Sequence, residues 1–476
     1  MTDRFWPIEG RSRIVERQRC VRQLNARFSR SDTMIVDAQT FRDLEIFESE
    51  SGARSLFDFC NRTRTTGGAK ALRRRMQRPW SNSDRIHSTQ KAISYILSHR
   101  SVFDGMPVIE HTTNRVERYV SDLLELIMHE NALEFGIGVL HIRINRGGDY
   151  TRIVRGVQIT ARLIHALRSF VAQDVFCSAL GELGSIVDEI RRLLARPRLV
   201  AVPDKDPDEW GAWQILRIDQ VFRLHEKSAI RRLLQLMYET DALVALADVT
   251  GDPGLLLPQV EEGRLRVHAE GLVHPLVENA VPNAVDLNQE KRLLFLTGPN
   301  MAGKTTYLRT FATALYMAHL GMGVSARRFS FVPVERLFSS IAHSEDLRGG
   351  ISYFRAEALR VKLIAESLAA GRRVVAVLDE PFKGTNVKDA LDASSAILQR
   401  LAVREGCLFM FSSHLIELRR QLDDSAHVDC HYFEADEGGE RLRFTYVLQS
   451  GVSTQRLGMR LLQEEGIFHL LDDVAV

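Results

Sequence analysis

Residues 293–311, LLFLTGPNMAGKTTYLRTF, decide the fold. An apolar run typical of a buried strand leads into a turn with two glycines, and a lysine, two threonines and the apolar stripe of a helix follow. Residues 298–305 match the pattern G-x-x-x-x-G-K-[ST] of phosphate-binding loops. A chance glycine turn is the alternative, but the strand before the turn and the helix after it favour a phosphate site.

The chemistry of such a loop explains each residue type in it. Small residues let backbone N–H groups surround phosphate oxygens, and the following helix directs its positive end at them. We expect Lys304 to meet the β- and γ-phosphate oxygens and Thr305 to ligate Mg²⁺. The residues predicted to bind nucleotide here are Gly298, Pro299, Asn300, Met301, Ala302, Gly303, Lys304, Thr305 and Thr306.

A second apolar run ends in a pair of carboxylates. In RRVVAVLDEPF, residues 372–382, Asp379 and Glu380 follow a strand-like segment, and ligands of open α/β sheets bind at the carboxyl ends of the strands. We expect Asp379 to hold Mg²⁺ through its waters, and Glu380 to take a proton from the water that attacks the γ-phosphate. A solvated Asp-Glu pair is the alternative, and the position downstream of a phosphate loop argues against it.

Two further segments complete the predicted site. CLFMFSSHLIEL, residues 407–418, places His414 after another buried strand, where its imidazole could hydrogen-bond the γ-phosphate. A lone histidine at a strand end is more often structural, but the order of the motifs favours a functional role. EDLRGGISYFRAEALRV, residues 345–361, offers Ser352 near the start of a helix as a second anion-binding element.

The second anion-binding element predicts a partner. Because the loop around Lys304 already supplies one complete cradle, we infer a homodimer in which Ser352 closes over the nucleotide of the other copy. The alternative is that Ser352 only caps its own helix, and a helix cap is compatible with the role in the dimer.

Composition narrows the class of protein. The chain has 476 residues, enough for two or three domains. Its 63 lysines and arginines against 61 acids give a net charge of +2, which excludes a polycation but allows a local basic face. Five cysteines without paired spacing indicate a reducing compartment. We find no signal-peptide core and no run long enough to span a membrane, so we expect a cytoplasmic protein, nucleoid-associated if it binds DNA.

Apolar periodicity divides the chain into regions. Helical spacing dominates up to about residue 250, and proline is absent from residues 108–196. After TGDPG, residues 250–254, short β-rich runs alternate with helical stretches, which is the pattern of a largely parallel sheet. We therefore predict an N-terminal extension of residues 1–36, a mainly α-helical domain of residues 37–258 and an α/β domain of residues 259–476.

Several of these segments together resemble one family. TGPNMAGKTTYLR, GISYFRAEA, LDEPFKGTN and FSSHLIEL are similar to the phosphate loop, signature loop, Asp-Glu strand and histidine loop of the MutS family, a group of ABC-type ATPases. Upstream, DAQTFRDLEIFES and YETDALVALA resemble the MutS core and lever segments, and HPLVENAVPNAVDL resembles the strand that leads into the MutS ATPase. The resemblance covers roughly residues 37–460.

The resemblance implies a dimeric, DNA-encircling ATPase whose nucleotide state moves helical levers that grip or release a duplex. The implied fold is an α/β ABC-type P-loop ATPase domain, with a largely parallel sheet and flanking helices, preceded by a mainly α-helical core and lever domain. The roles carried over by motif are phosphate and Mg²⁺ binding for Lys304 and Thr305, metal binding for Asp379, water activation for Glu380, a γ-phosphate contact for His414, action in trans for Ser352, and a place beside the base for Asn283.

The sequence also departs from the family pattern. Only 36 residues precede the core segment, and the chain contains no Phe-x-Glu triplet, so we expect a short form without the mismatch-reading and connector domains of full-length MutS. Ala280 stands where the family often has a base-stacking aromatic residue, which predicts looser base selectivity. Residues 381–383, Pro-Phe-Lys, replace an Ile-Gly-Arg step after the carboxylate pair.

These observations predict an ATP-hydrolysing protein that binds duplex or branched DNA as a homodimer in DNA repair or recombination, with Mg²⁺ as cofactor. Nothing in the chain resembles a base-reading element, so the grip on DNA would come from phosphate contacts. The basic residues of segment 62–78 could supply these contacts, although a solvated helix face is the more common role of such a run. Two alternatives stay open, a nucleotide-gated scaffold and an ABC-type ATPase associated with RNA or ribosomes.

Overall fold

The computed structural model describes most of the chain. The described residues are 32–49, 52–129, 131–341, 353–383, 385–415, 417–422, 427–436, 442–453, 455 and 457–472. Ser352 and residues 1–31 of the predicted N-terminal extension lie outside these ranges. Within the ranges, none of the helices combines the length and the apolar character that crossing a lipid bilayer requires.

The first part of the chain consists of packed α-helices. They are α1 Ala38–Asp43, α2 Leu56–Cys60, α3 Thr66–Met76, α4 Ser83–Ser98, α5 Arg100–Asp104, α6 Glu110–Ser121, α7 Ala132–Asn145, α8 Gly147–Val171, α9 Gly181–Leu194, α10 Pro197–Val200, α11 Ala212–Gln220 and α12 Lys227–Thr250. Shorter 3₁₀ and π-helical turns lie at Asp174–Ser178, Pro207–Glu209 and Val221–His225. This arrangement confirms the helical region that the apolar spacing predicted.

Helix α12 lies at the centre of this region, since nearly all of its faces are buried. It packs against α3, α4, α6 and α9. The close approach to α3 depends on two glycines. A Cβ atom on Gly67 would lie 2.3 Å from the Tyr238 ring, and a Cβ atom on Gly68 would lie 2.0 Å from Asp241 Oδ2. Asp241 Oδ2 also accepts hydrogen bonds from the Thr65 backbone and hydroxyl, at 3.1 and 2.8 Å, and thereby fixes the start of α3.

The second part of the chain is built from strands and covering helices. The strands are β1 Ile35–Val36, β2 Leu255–Leu256, β3 Gln259–Val260, β4 Val267–Leu272, β5 Asn283–Leu287, β6 Leu293–Thr297, β7 Val324–Ser325, β8 Arg328–Phe331, β9 Arg336–Ser340, β10 Val374–Asp379, β11 Cys407–Ser412, β12 Val428–Tyr432, β13 Ala435–Asp436, β14 Arg443–Phe444 and β15 Gln449–Ser450. The helices are α13 Lys304–His319, α14 Tyr353–Ala369, α15 Val387–Ala402, α16 Glu417–Leu422, α17 Gly458–Glu464 and α18 Ile467–Asp472.

The main sheet has seven strands in the order β1-β9-β10-β11-β6-β12-β15. Every neighbouring pair is parallel except β12 with β15, which confirms the largely parallel sheet that the sequence predicted. Strands β6, β10 and β11 are buried along their whole length, as expected for central strands covered on both faces.

The parallel register brings three strand ends to one edge of this sheet. Asp379, the last residue of β10, pairs with Ser412 at the end of β11, and Ser412 pairs with Leu296 near the end of β6. The loop that follows β6 therefore begins beside the carboxylates that follow β10.

A second sheet supplies the opposite wall of the site. Its order is β3-β8-β4-β5, and β4 is antiparallel to both β5 and β8. The turn between β4 and β5, residues 273–282, carries several residues that line a cavity shared with the loop after β6.

The segment before α1 joins the main sheet rather than the helical layer. Strand β1 pairs in parallel with β9 at the sheet edge, so the predicted division at residues 36 and 37 passes through a stretch that packs on the α/β region. One continuous apolar core then runs from Leu72 and Met76 of the helical region to Tyr316 of α13. The Tyr316 hydroxyl donates to the Met76 carbonyl, so the two regions share a packed and hydrogen-bonded interface.

Candidate nucleotide-binding site

The loop between β6 and α13 has the backbone of a phosphate-binding turn. Gly298 has a φ of 138° and Gly303 a φ of 101°, values that favour glycine. A Cβ atom at Gly298 would lie 2.6 Å from the Phe433 carbonyl oxygen, so only glycine fits there. Helix α13 begins directly after the loop, at Lys304, which places the positive end of a long helix at the turn.

The side chain of Lys304 lies buried across this loop, with 5% of it exposed. Its ammonium group donates to the carbonyl oxygens of Gly298 and Pro299 at 2.8 and 2.9 Å, and lies 3.6 Å from Glu380 Oε1. Burial lowers the pKa of Lys304 to about 8, although the negative charge of Asp379 acts in the opposite direction. The lysine is therefore a cation held in place by acceptors that phosphate oxygens can replace.

Thr305 and Asp379, the two residues predicted to hold Mg²⁺, contact each other. The Thr305 hydroxyl donates to Asp379 Oδ2 at 2.6 Å, and the Ser412 hydroxyl donates to Asp379 Oδ1. One hydroxyl and one carboxylate suit Mg²⁺, which binds few protein oxygens and completes its shell with water and phosphate. Across the described residues, no cluster of three or more His, Cys, Asp or Glu side chains suits a metal ion.

Glu380 lies at the centre of the site, and its carboxylate is surrounded by nitrogen atoms. Besides Lys304, it contacts Lys383 Nζ and His414 Nε2. Its backbone N–H donates to the Ser412 hydroxyl at 3.0 Å, and its φ of 46° lies in the left-handed region, which marks a backbone held by its surroundings. These contacts fix the carboxylate that the sequence assigned to water activation.

His414 reaches the same carboxylate from the end of β11. The ring is partly exposed, with 36% of the side chain accessible. Burial of the remainder, together with the charges of Lys304 and Lys383, lowers the pKa of His414 to about 4. The imidazole is therefore neutral at pH 7, and its Nε2 can donate a hydrogen bond to Glu380.

The backbone just after Glu380 is held in place by contacts with α14. Phe382 has a φ of 69° and is 2% exposed. Its backbone N–H donates to the buried Glu357 carboxylate of α14, and its ring packs against Phe354 with the ring centres 5.3 Å apart. A phenylalanine thus occupies a left-handed position in the Pro-Phe-Lys step, and packing together with one hydrogen bond stabilises it.

A cavity of about 560 Å³ connects these groups with the second sheet. Lys304, Thr305, Thr306, Asp379 and Glu380, which were predicted to bind phosphate, Mg²⁺ or water, line it. Gly298, Ala302 and His414 do not line it, although Gly298 and His414 contact residues that do. Ala302, a residue of the loop itself, is fully buried.

Asn283 lines the cavity, but its amide also organises another residue. Asn283 Nδ2 donates to the Tyr446 carbonyl at 3.0 Å, and Asn283 Oδ1 accepts from the Leu448 backbone N–H at 2.8 Å. Tyr446 also lines the cavity, and its ring lies 3.1 Å from the position of a Cβ atom on Gly303. The sequence analysis did not predict that Tyr446 lines the cavity, because this residue lies far from every motif. Its aromatic side chain near the last strands was the only hint in the sequence.

Two predicted elements have a different outcome. Ser352 lies outside the described residues, so its action on a partner's nucleotide stays a prediction. In the basic segment 62–78, four arginines bind protein groups. Arg62 pairs with Asp252, Arg64 with Asp104 and Arg75 with Glu182, while the Arg73 guanidinium lies 4.5 Å from the centre of the Phe47 ring. These contacts account for four of the basic residues, and binding of DNA by this segment stays a prediction.

Comparison with known proteins agrees with this geometry. The family model for MutS domain III matches residues 39–247, and the model for MutS domain V matches residues 294–469. The chain belongs to the MutS family. The resemblance to the MutS family is thereby confirmed. Domain V is the ATPase domain of MutS proteins, and the loop after β6, Asp379 and Glu380 lie within the residues that match it.

Two curated relatives carry the description DNA mismatch repair protein MutS. The chain is 25% identical to the protein of Aquifex pyrophilus over 91% of its own length and 60% of that protein. It is 25% identical to the protein of Thermotoga maritima over 92% of its own length and 64% of that protein. This MutS-family chain thus spans less than two thirds of the length of these relatives.

Proposed function

We propose that the chain binds and hydrolyses ATP with Mg²⁺, and that it uses this cycle as a DNA-binding homodimer in DNA repair or recombination. One observation carries the catalytic part. Lys304, Thr305, Asp379, Glu380 and His414 come from three separate parts of the sequence and meet at one sheet edge.

The proposed chemistry follows from the contacts of each group. Lys304 binds β- and γ-phosphate oxygens in place of its present carbonyl acceptors, and the loop amides bind the remaining oxygens. Thr305 and Asp379 would hold Mg²⁺, which would supply positive charge against the charge that develops on the phosphates. Glu380 orients the attacking water and accepts its proton. The neutral His414 exchanges its present contact with Glu380 for the γ-phosphate, to which its Nε2–H then donates.

The first test replaces the proposed base. Glu380→Gln keeps the size of the side chain and removes its charge, so ATP binding should persist while turnover falls by at least about a hundredfold. Glu366→Gln is the matched control, because Glu366 is exposed on α14 with only a long 3.9 Å contact to Lys362. ATP binding by equilibrium dialysis and phosphate release are measured for both variants. Turnover of Glu380→Gln at half the parent rate or more would refute the role of Glu380.

Composite sites in a dimer are tested by mixing two inactive variants. Lys304→Met removes the phosphate contact, and Ser352→Arg blocks the proposed action in trans. If Ser352 completes the partner's site, each variant alone is inactive, and a mixed dimer contains one intact site made from Lys304 of one copy and Ser352 of the other. Phosphate release should then return on mixing. Full activity of Ser352→Arg alone would refute the trans assignment without affecting the ATP site.

The nucleic-acid part rests on family membership and on the relatives described as mismatch repair proteins. Phosphate release is measured at one stated salt concentration with linear duplex, mismatched duplex, a four-way junction and structured RNA. We expect DNA to stimulate turnover and the effect to weaken with salt, because phosphate contacts release counterions. Stimulation by RNA alone would favour the RNA-associated alternative, and stimulation by none of them would refute the DNA role.

A further inference from the structure

Helix α7 of the helical region is apolar on two opposite faces. Its sequence, ALEFGIGVLHIRIN, contains only four polar side chains, those of Glu134, His141, Arg143 and Asn145. The inner face buries Phe135 and Ile142, where the helix packs on α8 and α11. A helix that is apolar all round is normally covered all round, and nothing among the described residues covers the outer face of α7.

The outer face carries a continuous stripe of large apolar side chains. They are 60 to 72% exposed, and they are Leu133, Ile137, Leu140 and Ile144. Because they are four, three and four residues apart, they lie next to one another along one side of the helix. Together they expose roughly 400 Å², a size at which an apolar patch on a protein surface is often functional.

The spacing of the stripe selects another helix as its partner. Alternating steps of four and three residues are the pattern of the seam between two helices of a coiled coil, in which each helix presents such a stripe to the other. The chain supplies a matching helix in α7 of a second copy. A pair related by two-fold symmetry would cover both stripes with a single contact.

The polar residues beside the stripe select the orientation of the pair. With about 100° of rotation per residue, Glu134 and His141 flank one side of the stripe, and Gly136 and Arg143 flank the other. In an antiparallel pair each flank meets its own counterpart, so Glu134 lies beside His141 of the second copy. In a parallel pair His141 would lie beside Arg143, and two donors would face each other. Charge complementarity therefore favours the antiparallel pair.

The present contacts of these two side chains are compatible with that pairing. Asn145 Nδ2 lies 3.1 Å from His141 Nδ1, and an amide nitrogen is always the donor, so the proton of the neutral imidazole lies on Nε2. That atom makes only a long contact of 3.9 Å with Glu125. Glu134 lies 3.0 Å from His129 Nδ1, and a carboxylate accepts several hydrogen bonds. His141 can therefore donate to Glu134 of the second copy.

We infer that the outer face of α7 docks on α7 of a second copy of this chain in antiparallel orientation. This contact lies outside the nucleotide cavity and goes beyond the proposed function, in which Ser352 closes over the nucleotide of a partner. Two such faces bury roughly 800 Å², less than the roughly 1,200 to 2,000 Å² of stable complexes. We therefore expect weak, reversible self-association, with a dissociation constant on the order of 10 to 100 μM.

The first test measures self-association of the full chain by sedimentation equilibrium, in EDTA and without nucleotide. Ile137→Glu places a charge in the middle of the stripe and should weaken the association at least about tenfold. Ile109→Glu is the matched control, because Ile109 is 61% exposed but lies before α6, and it should associate as the parent does. Circular dichroism checks that both variants fold. A parent protein that associates no more strongly than Ile137→Glu overturns the inference.

The second test exchanges the charges beside the stripe. In Glu134→Lys two cationic or donor groups meet twice in the antiparallel pair, and in His141→Glu two carboxylates meet twice, so each variant alone should associate at least about fivefold more weakly than the parent. In a mixture of the two variants, both contacts join opposite charges, and association should return to the strength of the parent. Association of either variant alone at the strength of the parent overturns the antiparallel pairing. Weak association that does not recover on mixing also overturns it, because another part of the chain would then cover the stripe.

A lipid surface is the other ligand that an apolar stripe could bind. Flotation with vesicles of phosphatidylcholine and phosphatidylglycerol is measured for the parent and for Ile137→Glu, and we expect neither to bind. A parent protein that stays monomeric and binds the vesicles, with the binding lost in Ile137→Glu, overturns the inference in favour of lipid. None of these measurements contains ATP, so a failure of the proposed ATPase and a failure of this inference are distinguishable.

Discussion

Arg360 connects the site's α/β region to the first segment of the helical region, and its removal should unfold this junction. Arg360 lies on α14 with only 4% of its side chain exposed. Its guanidinium donates to the Ser339 carbonyl at 2.9 Å and to the Thr40 hydroxyl at 2.8 Å. It also forms an ion pair with Asp37, the residue that caps α1. We predict that Arg360→Met destabilises the protein strongly.

The magnitude follows from what the substitution leaves behind. The Ser339 carbonyl loses a buried partner, at a cost of about 1 to 3 kcal/mol. The Thr40 hydroxyl loses less, because it still accepts a hydrogen bond from the Ser339 backbone N–H at 3.0 Å. Asp37 is 30% exposed, so water replaces part of its lost pairing and this contribution is smaller. Methionine recovers some of the packing that Arg360 makes over the Phe338 ring. The expected loss in the free energy of unfolding is about 3 kcal/mol.

The assay is urea unfolding followed by circular dichroism, with Arg328→Met as the matched control. Arg328 also pairs with a carboxylate, Glu270 at 2.8 Å, but both side chains are exposed, so its loss should cost less than about 0.5 kcal/mol. If Arg360→Met loses no more free energy of unfolding than the control does, the buried network contributes no net stability and the reasoning is refuted.

The pH dependence gives a second check on the same network. Burial alone would raise the pKa of Asp37, but the hydrogen bond and charge of Arg360, together with hydrogen bonds from Thr40, hold the pKa below its ordinary value of 3.8. A carboxylate with a depressed pKa adds stability above its unfolded pKa and loses it as pH falls through the folded pKa. Asp37→Asn keeps a helix cap, so the stability gap to the parent should be full at pH 7 and shrink below about pH 4.

Three further predictions concern the site. Lys304 has a pKa of about 8, so its ammonium group loses its proton between pH 7 and pH 9, and the affinity for ADP should fall about tenfold over that range. The affinity of Lys304→Arg should not change with pH in this way. An affinity of the parent protein that does not change with pH would contradict the prediction. Thr305→Ala should bind ADP as the parent does in EDTA, but Mg²⁺ should no longer enhance its binding. Thr305→Ser should keep the enhancement by Mg²⁺. If Mg²⁺ enhances ADP binding equally in the alanine variant and in the parent, the hydroxyl is not a ligand. Phe382→Gly should be about 1 kcal/mol more stable than Phe382→Ala in thermal unfolding, because residue 382 has a left-handed backbone. A higher stability of the alanine variant would mean that the backbone relaxes at this position.

The central part of the site could be predicted because its signals are local in sequence. Glycines 298 and 303, Lys304 and Thr305 belong to one continuous motif, and a strand end followed by Asp379 implies a position at the sheet edge whatever the neighbouring strands are. The parallel register then makes these strand ends adjacent without any further information.

The rest of the site depends on contacts between distant segments. The role of Tyr446 comes from Asn283, which holds its backbone from 163 positions away. Strand β1 joins the main sheet through two residue pairs with β9, too few to leave a periodic pattern. The arginines of segment 62–78 look like a basic surface until their partners, such as Asp252 and Glu182, are known. In these three cases the contacts join segments that are far apart in the sequence, so residue type alone does not predict them.

Helix α14 contacts both the loop after Glu380 and the first segment of the helical region. Glu357 accepts the Phe382 N–H just after Glu380, and Arg360, one turn further along the same helix, binds Asp37 and Thr40. A shift of the loop after Glu380 must therefore either break the Glu357 contact or move α14 and its partners at β1 and α1. Contiguity alone does not demonstrate coupling. A double-mutant cycle with Glu357→Gln and Arg360→Met measures it, because additive effects on ATP turnover would mean that the two ends of this helix act independently.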